Sequence, residues 1–439
     1  MARLSCRAGG EGAVPRPARP CCPQDHPVVP PQLQSAIGLA SLLVLAWACG
    51  GFRRPLPWRA VLAGVSLQLA LAAALLHIPP LRAGFALVGD AVNALAQATR
   101  AGTSLVFGYL GGGPLPFAET QPGGSFVLFF QALPIVLLVG ALSALLYHWR
   151  VLPALVRVMS RALRAAFGVS GACGVSVAAN VFTGMVEATL FIRPWLATLS
   201  RSELLVVMTA GLATISGNML VVYAAMLANA VPDAAGQLLA ASLVSAPAAI
   251  LAARLMRPEA AAPEAADIEA PPLYDSSMDA LTRGTADGLS LLLNIMAGLI
   301  VFVALVALVN MILQPLTGTT LEAIAGTLLW PLAWAMGIAP EDATAAARLL
   351  GIRGVVNEFV AYLDMAGPNG AALAPRTKLI LSWALCGFAN FASVGIMVSG
   401  MGALCPERRA EIVRLGLPAL LAATIACCMT GATVGLLSP

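Results

Sequence analysis

Between residues 290 and 313 the chain carries no Asp, Glu, Lys or Arg, and a run of that length and character fits one environment. About 20 consecutive apolar residues in helical form cross a hydrocarbon core of about 30 Å. Further runs of this kind occupy residues 35–50, 60–76, 126–147, 204–227, 235–253, 379–401 and 415–437. Hydrophobic residues make up 59% of the 439 and charged residues only 10%, where a soluble domain carries about 25% charged residues. Because backbone polar groups in lipid must be satisfied within the segment, these runs read as helices. The chain is expected to be an all-α polytopic membrane protein, with the lipid bilayer as its first partner.

The small net charge of +4 gives no reason to expect a nucleic-acid partner. Cys21-Cys22 and Cys427-Cys428 are adjacent pairs, and Cys49, Cys173 and Cys386 lie in apolar stretches. That spacing suits packing rather than a metal site. His26, His77 and His148 are scattered, with no Ser-His-Asp or His-Glu cluster, so no enzyme is expected.

Residues 1–34 hold Pro15, Pro17, Pro20, Pro23, Pro27, Pro30 and Pro31 and read as a disordered Pro-rich tail. Residues 79–113, with Arg82, Asp90 and Arg100 among apolar residues, read as an interfacial amphipathic segment. So do residues 150–164, where Arg157, Arg161 and Arg164 share one helix face. Residues 258–285 read as an extramembrane linker, and residues 321–338 as a segment in or near the interface.

Two segments are too interrupted to be simple spans. Residues 171–197 contain Gly171, Gly174, Asn180, Gly184, Glu187 and Pro194; residues 345–366 contain Glu358. A carboxylate at bilayer depth costs about 2.5–3.5 kcal/mol on insertion scales and marks a functional site by default. Each such segment precedes a span with a polar centre, Thr214 to Asn218 in one case and Cys386 to Asn390 in the other. The halves thus repeat one order of elements, and paired interrupted segments point to a transporter's midplane site. If both are re-entrant hairpins, the arginines at 53, 54 and 59, 150–164, 254, 257 and 283, and 408, 409 and 414 fall on one side. By the positive-inside rule that side is cytoplasmic, giving eight transmembrane helices with both termini outside. Arg3, Arg7, Arg16 and Arg19 would then lie outside.

Gly-Ile-Arg-Gly-Val-Val-Asn-Glu-Phe-Val-Ala-Tyr (residues 351–362), Ala-Leu-Cys-Gly-Phe-Ala-Asn-Phe-Ala-Ser (384–393) and Gly-Ala-Leu-Cys-Pro-Glu-Arg-Arg (402–409) closely resemble the concentrative nucleoside transporter family. Residues 180–187, 193–194 and 201–217 resemble its first half, and the likeness runs over about residues 35–437. The resemblance implies a homotrimer in the cell (inner) membrane, with inverted repeats and with an elevator-like transport domain carried by a scaffold domain. On that division residues 35–170 are N-terminal spans and interfacial helices, mainly scaffold. Residues 171–257 are the first transport half, 258–285 a cytoplasmic linker, 286–340 a scaffold span with its interfacial segment, and 341–439 the second transport half.

The resemblance also assigns residues. Glu358, Asn390 and Ser393 would hold the ribose hydroxyls, with Phe388 packing near the ligand; a carboxylate, an amide and a hydroxyl suit vicinal hydroxyls. Base contacts would come from Glu187 and its loop. This chain reads Gly184-Met185-Val186-Glu187 there, where the family usually has Gly-Gln-Thr-Glu. Met185 and Val186 therefore replace two polar readers, and Met219 adds another apolar wall. Sodium would lie at Asn180, Thr183, Thr214 and Ile215, whose hard oxygens suit a hard cation. The implied function is nucleoside import by sodium symport. Proton coupling through Glu187 or Glu358, transport of a related ribosylated solute, and a non-transporting nucleoside sensor are the alternatives.

Overall fold

The structure is a computed structural model that describes residues 30–52, 56, 58–118, 125–258 and 273–438. In chain order its first helices are α1 (Pro31–Cys49), α2 (Trp58–His77), α3 (Pro79–Phe107), α4 (Leu128–Gln131), α5 (Ile135–His148) and α6 (Val151–Phe167). Next come α7 (Gly171–Asn180), α8 (Glu187–Leu190), α9 (Arg201–Ala213), α10 (Gly217–Leu227) and α11 (Ala234–Met256). The remainder is α12 (Ser277–Thr317), α13 (Leu321–Ala335), α14 (Pro340–Val355), α15 (Glu358–Ala366), α16 (Pro368–Ala371), α17 (Pro375–Ala384), α18 (Phe391–Leu404) and α19 (Arg409–Leu437). Among the described residues, seven helical stretches are long and apolar enough to cross a membrane.

Several boundaries differ from the sequence reading. The first helix starts at Pro31 rather than Ser35, because proline at the first helical position gives up an N–H that would be unpaired anyway. Residues 1–29 of the proposed tail lie outside the described residues. At the linker, α12 begins at Ser277 instead of after 285; the Ser276 hydroxyl caps it by accepting from Asp279 N at 3.1 Å. Residues 259–272 of that linker, and Arg53 and Arg54, are outside the described residues. Residues 79–107 form one 29-residue helix that packs on α2, α5, α10 and α11. It ends where Gly108 takes a φ of 60°, a conformation glycine reaches without a Cβ penalty.

The packing pairs are defined by close backbone approach. α5 lies along α12, and Gly140 explains how: a Cβ there would stand 2.9 Å from Gly284 O. α13, a scaffold element on the division by resemblance, packs on α14. α1 runs along α11, α13 and α19, and α2 along α11. The first two helices therefore share a long seam with the elements assigned to the transport halves, while α5 and α12 pair with each other.

Side-chain contacts fix the two ends of the bundle. At one end Arg254 donates to Phe167 O, Ser202 Oγ to Arg257 O (2.6 Å) and Arg408 to Leu196 O and Leu199 O (2.9 and 2.6 Å). Arg201 and Arg408 both pair with Glu411, at 3.3 and 2.7 Å. At the other end Gln34 donates to Trp334 O and Ile338 O (2.7 and 3.1 Å), and Arg376 to Gly337 O (2.6 Å). Arg201, Arg254, Arg257 and Arg408 thus gather at one end.

Candidate functional site

Both interrupted segments fold as two helices with a break between them, and in each the second helix starts on the carboxylate. α7 ends at Asn180 and α8 begins at Glu187; α14 ends at Val355 and α15 begins at Glu358. The two polar-centred spans break in the same way. α9 gives way to α10 through Thr214-Ile215-Ser216, and α17 to α18 through residues 385–390.

At three of these breaks the new helix is capped by a side chain. Ser216 accepts from Met219 N at 3.4 Å, Asn357 from Val360 N at 3.0 Å and Asn390 from Ser393 N at 2.7 Å. Capping satisfies donors that a helix start leaves unpaired, which inside a bilayer water cannot do. The starts of α10, α15 and α18 all border one cavity of about 230 Å³. Helix N-termini carry a partial positive charge, so this arrangement suits the Glu358 carboxylate and electron-rich oxygens of a solute.

Glu358 is 5% exposed, and both of its oxygens are engaged. Tyr223 Oη donates to Oε1 and Asn390 Nδ2 to Oε2, each at 2.7 Å. Tyr223 itself is fully buried, its ring 4.8 Å from that of Tyr362 and 6.1 Å from that of Phe359. Tyr362 Oη in turn donates to Ser382 O at 2.8 Å. The nearby buried cation is Arg353, 1% exposed, which donates to Ala384 O at the end of α17 (2.6 Å). The carboxylate is therefore held in a fixed orientation by neighbours that are themselves locked, which is the structure a precise binding group requires.

The cavity brings together Glu358, Asn390, Ser393, Phe388, Glu187, Met185, Val186 and Met219, all eight of the residues that the family resemblance assigns to the substrate. Glu187 curls over Gly184, where any Cβ would collide with its carboxylate. The sequence reading missed the rest of the lining. Tyr223 looked like an ordinary apolar-span residue, and Asn218 was noted only as part of a polar centre. The stripe Leu291, Asn294, Ile295, Gly298, Leu299 and Phe302 on α12 completes the cavity wall. Its spacing of three and four residues puts these on one helix face, and the single legible signal was an asparagine within an apolar span.

The four residues assigned to sodium also come together, next to the cavity and not in it. Thr214 Oγ1 lies 3.2 Å from Asn180 O and 2.9 Å from Ala210 O, and Thr183 Oγ1 donates to Ala179 O at 3.0 Å. Gly217 N donates to Phe182 O at 3.0 Å, joining the 181–186 break to the start of α10. Ile215 is fully buried. Asn180 is 1% exposed, and its Oδ1 and Nδ2 have no hydrogen-bond partner among the described residues. An unpaired amide so deeply buried is costly, and its oxygen with the neighbouring carbonyls and hydroxyls forms a hard donor set that fits an alkali cation.

A helical membrane protein with a largely apolar cavity that takes its polar groups from the breaks of four discontinuous segments is built to hold a polar solute within the bilayer, which is the design of a secondary transporter. Comparison with known proteins identifies the kind. Residues 237–435 match the family described as Na+ dependent nucleoside transporter C-terminus, residues 37–110 its N-terminus, and residues 129–230 the Gate family of nucleoside recognition. The Nucleoside permease NupC of Helicobacter pylori is 33% identical over 92% of this chain and 97% of its own. Sodium/nucleoside cotransporter 1 of Rattus norvegicus is 32% identical over 93% of this chain and 63% of that protein. The solved structure of CNTnw in an inward-facing substrate-bound state superposes with a TM-score of 0.85 at 33% identity, covering 93% of this chain and 99% of that one. The chain belongs to the concentrative nucleoside transporter family. It is a nucleoside transporter, not an enzyme, and a multi-pass protein of the cell membrane, the inner membrane by its likeness to bacterial relatives.

Proposed function

We propose that this protein imports nucleosides by sodium symport, with the ribose held by Glu358, Asn390 and Ser393 and with Phe388 packed against the ligand. The observation that carries the reading is the Glu358 carboxylate, fixed from both sides by Tyr223 and Asn390 at 2.7 Å and open to a cavity of about 230 Å³. Vicinal hydroxyls donate to such an acceptor, and Asn390 and Ser393 can donate to or accept from the same sugar. Glu187, Met185, Val186 and Met219 form the base side, and two of the four groups of the 184–187 loop are apolar there.

Asn180, Thr183, Thr214 and Ile215 would hold the coupling ion through side-chain oxygens and carbonyls; the unpaired Asn180 amide supports that placement. The ion, bound as co-substrate, supplies positive charge at the junction of the 181–186 break with α10. That junction borders the cavity on both strands of the chain, so ion and solute are held by the same short loops. The sodium-cotransporter relatives support sodium, while proton coupling is the second reading within transport.

In the membrane we assign eight crossings: the seven long helical stretches, plus α17 and α18 together as a broken eighth. α7–α8 and α14–α15 are re-entrant hairpins, and the two halves are inverted repeats. Residues 171–257 and 341–437 move elevator-like against the remaining spans within a homotrimer. The arginine-rich end is cytoplasmic. Purified protein in proteoliposomes tests this: labelled uridine or adenosine should accumulate only with an inward sodium gradient. Uptake driven equally by a proton gradient without sodium would replace the ion, and binding without uptake would identify a sensor.

A further inference from the structure

The cavity is lined by four asparagines, Asn218, Asn294, Asn357 and Asn390. Three have their side chains engaged. Asn357 and Asn390 cap helices, and Asn390 also donates to Glu358; Asn218 Oδ1 accepts from Ser143 Oγ at 3.4 Å. Asn294 has no protein partner among the described residues. The other asparagine of α12 makes the contrast plain. Asn310 donates to Glu322 Oε2 at 2.9 Å and accepts from Leu321 N at 2.8 Å. A carboxamide near the middle of an apolar 41-residue helix must meet water or a polar solute, because hydrocarbon leaves its three hydrogen-bonding positions empty.

In the same cavity the 184–187 loop presents Met185 and Val186, which can shape a base but cannot hydrogen-bond its edge, beside the single carboxylate of Glu187. The sugar-side groups sit on α15 and α18, which pack on other helices than α12 does. From this placement we infer that Asn294 reads the nucleobase: its carboxamide pairs with the adjacent donor and acceptor on the base edge, doing from α12 what Met185 and Val186 cannot. The inference rests on the nucleoside reading of the cavity and names the base-reading residue within it. A carboxamide offers one acceptor and two donors in a plane, and it pairs in bidentate fashion with a base edge that presents a donor beside an acceptor. In uridine that edge is O4 and N3–H.

The test uses a substrate whose edge is blocked. Uptake of uridine, N3-methyluridine and 2′-deoxyuridine is measured for the wild type and for Asn294→Leu in proteoliposomes. The wild type should prefer uridine over N3-methyluridine by roughly tenfold or more, the worth of a base-edge contact that the methyl group removes. Asn294→Leu should raise the uridine KM by about that factor, leave N3-methyluridine unchanged, and so bring the ratio near one. The preference for ribose over 2′-deoxyribose should stay as in the wild type. Should Asn294→Leu fail to insert, Asn294→Ser, which loses the bidentate edge at smaller volume, carries the same expectation. A variant that keeps the uridine/N3-methyluridine ratio overturns the assignment, as does one in which both ratios collapse together. If the wild type moves none of the three, the nucleoside reading itself fails, and that outcome is distinct from the first two.

Discussion

Tyr223→Phe removes one oxygen from the protein and tests how the sugar site is held. The ring should stay in place, since its faces are fixed by Tyr362 and Phe359 at centroid distances of 4.8 and 6.1 Å. What is lost is the 2.7 Å donation to Glu358 Oε1. A hydrogen bond to a charged group contributes about 1.5–3 kcal/mol. Asn390 still holds Oε2, so only part of the orientation is released and the lower figure applies. At about 1.5 kcal/mol the loss in uridine affinity is roughly tenfold. Substrate competition in proteoliposomes, with uridine and 2′-deoxyuridine side by side, reads it directly. The ribose preference should shrink along with the affinity, because the group that recognises the second hydroxyl has lost its fixed direction. An unchanged uridine KM with an unchanged ribose preference would refute the idea that Tyr223 orients Glu358 for the sugar. Tyr223→Ala is the useful companion: it also opens a cavity in the core, which costs about 3–5 kcal/mol for an aromatic truncation, so thermal stability should drop with it and not with the phenylalanine.

Glu358→Gln should nearly abolish nucleoside uptake by correctly inserted protein, and normal uptake would remove Glu358 from the sugar site. Asn180→Ala combined with Thr214→Ala should raise the sodium concentration for half-maximal uptake at least tenfold, a loss of about 1.4 kcal/mol; an unaltered sodium curve would place the ion elsewhere. Gly140→Val puts a side chain where a Cβ already stands 2.9 Å from Gly284 O, so it should lower stability by about 1–3 kcal/mol. A thermal-shift assay in detergent showing no change would mean that α5 and α12 separate more easily than their contact suggests.

The sequence exposed some of this architecture and hid other parts for physical reasons. Apolar runs and interrupting polar residues are visible without coordinates, because both the bilayer and the breaks impose a residue type. Long motifs marked the residues that line the cavity, since side chains at a break carry a chemistry that packing alone does not demand. The extent of α12 was less visible: its first turns are polar, and the run of apolar residues starts well after its cap. The Ser276-x-x-Asp279 spacing was the available cue. Tyr223 could not be singled out, because a tyrosine in an apolar helix is ordinary until its hydroxyl is seen against Glu358. Glu203, a buried acid in the first half, proves structural. Its carboxylate accepts from Ser170 N at 2.9 Å and Ser200 N at 3.4 Å, tying the starts of α7 and α9 together.

The caps at Asn357 and Asn390 bear on how such a protein can change over time. Each of these asparagines anchors the start of a helix, and Asn390 also holds the Glu358 carboxylate. Substituting either to accept a different sugar would loosen a helix inside the bilayer, so drift on that side carries a folding penalty. Met185, Val186 and Asn294 cap no helix, and a change there leaves the scaffold of backbone bonds intact. The molecule is thus frozen toward one half of its cargo and plastic toward the other, and variants with new cargo should differ in the base they take long before they differ in the sugar.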